Sequence, residues 1–160
     1  YWPIDTVTMK GFAYAMSAAP MQTQILKKNF FVEKIMPMAV KHPLAEEVMD
    51  HYREALPTGQ RRIGAAEFPR QLIDASLWLG DLSDEVQDKL RNVPLLLTWG
   101  LHDLAFPRQY MDRFREDFVR SQVCRLDAKH YIQEDSPVEI SAAIKDFLGS
   151  IPSTTSLASQ

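Results

Sequence analysis

A short apolar run, Val93-Pro94-Leu95-Leu96-Leu97-Thr98-Trp99, does most to limit what this chain can become. It does not alternate apolar and polar residues, so both of its faces need cover, as in the buried strand of a parallel sheet. The residues after it fit that setting. Arg108 to Phe118 puts Tyr110, Met111, Phe114 and Phe118 on one side of a predicted helix, and Gln122 to Leu126 reads as a second strand. Ser136-Pro137-Val138-Glu139 then predicts a helix start, with a capping serine, a proline at the first position and a glutamate closing the box. Ile140, Ala143, Ile144, Phe147 and Leu148 form its apolar stripe, and Gly149 is expected just past its end. Strand, helix, strand, helix is a β-α-β unit, which requires parallel pairing. Two strands do not make a stable parallel sheet alone, so the remaining strands are expected upstream.

The residues in view upstream are helical instead. Asp5 or Thr6 can cap a first helix running to Ala18. Ile25, Leu26, Phe30 and Ile35 continue a broken helical pattern that Pro37 is expected to close. Leu44, Val48, Tyr52 and Leu56 share a face ended by Pro57-Thr58-Gly59, and Phe68, Leu72, Ala75 and Leu79 share another with Gly80 as the expected stop. Ser83 to Arg91 reads as a polar helix. The abrupt apolar opening, Tyr1-Trp2-Pro3-Ile4, leads us to expect that the sequence begins inside a larger protein, while the Ser/Thr-rich end from Pro152 to Gln160 reads as a disordered tail.

Composition narrows the function. With 46% apolar and 24% charged residues among 160, the chain is of ordinary globular type. Its 21 acids against 18 bases argue against a nucleic-acid binder that works by neutralising phosphates. No apolar run approaches the length needed to span a bilayer, so no membrane partner is expected. The single cysteine, Cys124, leaves out an intrachain disulfide and fits a reducing, cytoplasmic setting. The six glycines, at 11, 59, 64, 80, 100 and 149, frame no Gly-x-Ser-x-Gly elbow, Gly-x-Gly-x-x-Gly loop or Walker loop.

Ligands of open α/β sheets bind beyond the carboxyl ends of the strands. Asp103 lies four residues past Trp99, and His130 lies four past Leu126. An acid and a histidine on neighbouring strand-end loops can meet, the acid fixing the imidazole tautomer and leaving the other nitrogen as a general base. Either residue alone is as readily a loop cap or a satisfied polar partner. His102 competes as the base, but one residue from Asp103 its side chain is expected to point away from that partner. His42 and His51 read as surface or packing residues, and Tyr14 and Tyr52 as core or interface aromatics. The dispersed histidines suggest no metal site and no cofactor.

Trp99-Gly-x-x-Asp103, Phe106-Pro107 and His130-Tyr131-Ile132-Gln133-Glu134-Asp135-x-Pro137 resemble the C-terminal part of an α/β-hydrolase, and the histidine-led string resembles haloalkane dehalogenases in particular. Asn29-Phe30-Phe31-Val32-Glu33, Met49-Asp50-His51-Tyr52-Arg53-Glu54 and Phe68-Pro69 resemble that family's cap domain, and Trp2-Pro3 the strand leading into it. The resemblance implies an α/β chain of α/β-hydrolase fold, a parallel-sheet core with a helical cap, present as the C-terminal portion only. Residues 1–4 would end a core strand, 5–91 form the cap, 92–151 the last part of the core, and 152–160 the tail. It further implies hydrolysis of a small halogenated alkane to an alcohol and a halide ion through an aspartyl alkyl ester. His130 matches the base that activates water, and Asp103 matches the acid of the Asp-His-Asp subfamily, the third. Phe31, Ile35, Phe68, Leu72, Leu104 and Ala105 match positions lining the apolar pocket. The nucleophile and halide-binding groups would belong to the missing N-terminal part of the core, a required partner, so this segment alone is expected to be inactive. An epoxide hydrolase, or a non-enzymatic binding protein of the same fold, remains open.

Overall fold

Thr6 opens the first helix as expected, its hydroxyl accepting from the Met9 N–H at 3.2 Å. The structure, a computed structural model, describes residues 1–151, and the chain divides into two compact units at Leu90 and Arg91. The predicted tail from Pro152 lies outside the described residues. Tyr1 to Ile4, expected to end a strand, are in no strand or helix.

The first unit is helical: α1 (Val7–Ser17), α2 (Ala19–Lys28), a π-helix (Phe31–Ile35) running into α3 (Met36–Met38), α4 (Glu46–Ala55), α5 (Ile63–Asp74) and α6 (Ser76–Leu90). The broken pattern between Ile25 and Pro37 has a physical origin. Asn29 takes the left-handed conformation, φ 50°, and stops α2. The chain restarts with π-type winding, whose wider turn puts side chains out of the 3.6-residue rhythm. Pro37 does not close that helix. It lies inside the continuous winding, which ends one residue later at Met38. Helix α1 packs on α5, and Met16, Ile25 and Ala66 form the buried cluster, with Phe30 and Phe31 packed against it. The Gln22 amide ties three helices together by donating to the carbonyls of Met16 at 2.9 Å and Ala66 at 2.8 Å.

Gly80 is not a stop. It lies inside α6, and the break falls earlier, at Ala75, where φ −83° and ψ 10° leave helical geometry and the Ser76 hydroxyl binds the Ile73 carbonyl. The polar helix expected from Ser83 is the second half of α6.

The second unit holds the sheet. β1 (Leu95–Gly100) and β2 (Ser121–Leu126) pair in parallel, Leu95 opposite Ser121 and Gly100 opposite Leu126, with α7 (Arg108–Asp117) between them in sequence. Helices α8 (Ile132–Asp135) and α9 (Pro137–Ser150) come next, and both touch β1. Buried Leu97, Met111, Phe118 and Leu126 anchor this part. Two local expectations fail. Ser136 stands at the N-cap position with φ −141° and ψ 49° but its hydroxyl makes no capping hydrogen bond, and its N–H, the group Glu139 was expected to close on, serves the Ile132 carbonyl at 2.8 Å. Gly149 lies within α9, which runs one residue further to Ser150. Among the described residues no helix is long and apolar enough to cross a membrane.

Candidate active site

Both strands end where the chemistry was expected, and the parallel register brings their exits side by side. The ladder continues beyond the strands, with the Leu101 N–H donating to the Leu126 carbonyl at 2.9 Å and the His102 N–H to that of Ala128 at 3.0 Å. Gly100 is the crossing point. A Cβ there would collide with the Lys129 carbonyl oxygen and lie 2.8 Å from that of Ala128, so only glycine lets the two backbones pass this closely. Ala128 is fully buried beneath that crossing. The tight passage delivers His130 to the loop that carries Asp103.

His130 Nδ1 and Asp103 Oδ2 are 3.0 Å apart. The other carboxylate oxygen, Oδ1, accepts from the N–H groups of Ala105 at 2.8 Å and Phe106 at 3.0 Å, an Asx-type turn that fixes the acid on its own loop. The Asp103 side chain is 8% exposed and that of His130 35%, so the acid is enclosed and the imidazole still meets solvent. Burial by itself would raise the Asp103 carboxyl. The hydrogen bond with His130, the Phe106 and Ala105 N–H groups and the imidazolium charge outweigh it and hold the carboxyl below its usual range. The same hydrogen bond raises His130 above its ordinary value, against burial and with help from the Asp103 charge. With Nδ1 engaged by a carboxylate, Nε2 is the nitrogen free to take a proton.

Aromatic rings frame the imidazole. Phe106 lies with its centroid 5.3 Å away at a tilt of 36°, and Tyr131 stands edge-on at 5.4 Å. Burial pushes the Tyr131 hydroxyl up. The segment after His130 is pinned by Asp135, which accepts from the Lys129 N–H at 2.8 Å. Sequence reasoning missed these neighbours. Phe106 and Tyr131 are visible only as motif letters, and the single-turn helix α8 is too short to carry a periodic pattern.

His102 turns away from Asp103 as expected and pairs instead with Asp127, Nε2 to Oδ1, at 2.8 Å. His42 and His51 are exposed, as is Tyr14. Of the expected pocket residues, Leu104 and Ala105 project from the Asp103 loop, Leu104 being 94% exposed. Phe31 and Ile35 are half-buried on the π-helix, while on α5 Leu72 is half-buried and Phe68 exposed. Two of the segments that carry the resemblance meet in space: the Arg53 guanidinium grips Glu33 at 2.8 and 3.2 Å. A cleft of about 260 Å³ bordered by Pro94, Arg120 and Phe147 opens at the other ends of the strands and holds none of the expected site residues.

No family model matches the chain. It is 42% identical over 151 residues to haloalkane dehalogenase 2 of Mycobacterium tuberculosis, covering 93% of this chain and 53% of that protein. A haloalkane dehalogenase of Bradyrhizobium diazoefficiens is 29% identical over 140 residues, covering 81% of this chain and 44% of its own length. The crystal structure of the haloalkane dehalogenase DbeA from Bradyrhizobium elkani superposes with a TM-score of 0.76 at 23% identity, over 91% of this chain and 52% of that one. The chain thus spans about half the length of the curated relatives it matches. That superposition places this chain in the α/β-hydrolase fold, matched over about half the length of that structure.

Proposed function

We propose that the chain is the C-terminal part of a haloalkane dehalogenase, hydrolysing a carbon–halogen bond of a small halogenated alkane to an alcohol and halide. The observation that carries this reading is the pair of a solvent-touching His130 and an enclosed Asp103 at 3.0 Å, on adjacent ends of parallel strands. The 42% identity to a protein of that name supports the substrate class. In the proposed reaction a carboxylate supplied upstream of Tyr1 attacks the carbon, the C–X bond breaks, and halide leaves with the bonding electrons. Water then attacks the ester carbonyl while His130 Nε2 takes its proton, and the departing alkoxide is protonated as the carboxylate is released. Asp103 holds the imidazole in the tautomer that exposes Nε2 and stabilises its charged form. Its place after β1 supports the Asp-His-Asp subfamily.

An alkane offers few polar handles, so contact with it must be mostly apolar. We assign that role, on the family resemblance alone, to Phe31, Ile35, Phe68, Leu72, Leu104 and Ala105. A cytoplasmic location belongs to the same proposal and rests on the lone thiol of Cys124.

The test compares bromide release from a series of 1-bromoalkanes with diol formation from an epoxide, using the complete protein. Stoichiometric bromide and alcohol are expected. Diol formation without bromide release at any chain length would overturn the dehalogenase reading in favour of an epoxide hydrolase, and neither product would favour a binding protein.

A further inference from the structure

We propose that Trp99 is a positioning residue for the Asp103–His130 pair, its indole N–H fastening the loop that carries both Asp103 and the ring packed on His130. The kinetic consequences of this role rest on the proposed hydrolytic function, whereas the positioning itself is read from geometry. Trp99 sits next to the end of β1, opposite Arg125. Its indole Nε1 donates to the Phe106 carbonyl at 3.1 Å. The Phe106 N–H is held by Asp103 Oδ1 at 3.0 Å, so one residue is gripped from the strand on its carbonyl and by the acid on its amide. Its ring then lies 5.3 Å from the imidazole.

The loop has no regular structure of its own to fix this return. Residues 101–107 form no helix or strand, and Leu104 at the tip is almost wholly exposed. A loop of that kind opens locally unless tied at particular points. The indole is a donor with a single fixed direction, and its ring is steadied edge-on against Phe114 of α7 at 6.1 Å. Strand, loop and helix therefore converge on one hydrogen bond. Its loss frees the Phe106 carbonyl, loosens the turn that holds Asp103, and lets the Phe106 ring leave the imidazole.

The groups that bear on the His130 titration can be named. Asp103 faces it from the β1–α7 loop, and the Tyr131 ring stands beside it. On its own segment, Asp127 is engaged by His102, and Lys129 is held through its N–H by Asp135 of α8.

The test uses Trp99→Phe in the complete protein, which keeps a ring against Phe114 and deletes only the N–H, beside Phe114→Leu, which weakens the packing and keeps the N–H. Three quantities are read: the burst of halide, the rate of ester hydrolysis, and the NMR titration of the His130 ring. Trp99→Phe is expected to keep the halide burst, slow ester hydrolysis about three- to tenfold, as loss of one modest hydrogen bond implies, and lower the His130 midpoint. Phe114→Leu is expected to lower Tm and to shift the His130 midpoint less than Trp99→Phe does. An unchanged midpoint and hydrolysis rate in Trp99→Phe would overturn the inference, as would a loss of Tm with every step slowed alike. If the unmodified protein releases no halide yet Trp99→Phe still lowers the His130 midpoint, the dehalogenase reading fails and the positioning role stands.

Discussion

Two histidine–aspartate pairs join the same two strand-end segments, and the shorter one is the weaker candidate for chemistry. His102 and Asp127 approach to 2.8 Å, but their side chains are 56% and 68% exposed. His130 and Asp103 are 3.0 Å apart, with the acid enclosed and bound at both oxygens. In water an ion pair is screened and its partners lose side-chain freedom to hold one geometry, so distance alone says little about its worth. Inside a turn that supplies two N–H donors, the Asp103 carboxylate is ready-made and its orientation is fixed. The contrast is one between a contact and a device: only the second pair sets an enclosed carboxylate, held by two N–H groups, against its imidazole.

Breaking the enclosed pair is expected to have the largest effect. His130→Ala in the complete protein removes the base and is expected to stop ester hydrolysis altogether while leaving halide displacement possible, as rapid-quench measurements of the two products would show. Asp103→Asn keeps the shape but loses control of the tautomer, and hydrolysis is expected to slow about 10³–10⁴-fold in the same assay. Next comes the crossing that brings the two segments together. Gly100→Ala must push a Cβ into the carbonyls of Lys129 and Ala128, and is expected to cost on the order of 2–4 kcal/mol in denaturant unfolding.

Acidity sharpens the comparison further. Asp103 is lowered in the fold, so its contribution to stability is present above the ordinary carboxyl value of about 3.9 and is lost as pH falls through its folded value. His130 is raised, so its contribution is complete below about 6.5 and is lost as pH rises through its folded value. Asp103→Asn is therefore expected to lower Tm more at pH 5.5 than at pH 9. It should also move the acid limb of hydrolysis downward, since the imidazole loses the partner that raises it. The exposed pair gives the smallest effect: Asp127→Asn is expected to shift Tm by less than about 3 °C and leave the hydrolysis profile in place.

How much of this is legible in the sequence depends on how local each feature is. The strands, α7 and the strand-end positions of Asp103 and His130 can be read because a buried parallel strand has an unbroken apolar run and the chemistry lies beyond its end. The π-helix cannot, because one widened turn merely spoils the 3.6-residue rhythm around Phe31 to Ile35. Gly80 and Gly149 resemble stops on propensity, but a helix tolerates glycine when its neighbours continue the pattern. Ser136 looks like a cap from four letters, whereas the preceding turn, ending at Asp135, has already claimed its backbone. Gly100 and Trp99 are the instructive omissions. Each matters through a partner some seven to thirty residues away, Phe106 for the indole and the Ala128–Lys129 backbone for the glycine, and no local pattern announces such a meeting.

The central claim is that His130 is the base that frees an enzyme-bound ester, oriented by Asp103. Intact-mass measurement of the complete His130→Ala protein after exposure to a 1-bromoalkane tests it most directly. The expected result is one alkyl group added per protein molecule with one equivalent of bromide released, and no further turnover. Continued turnover without an accumulating adduct would contradict it.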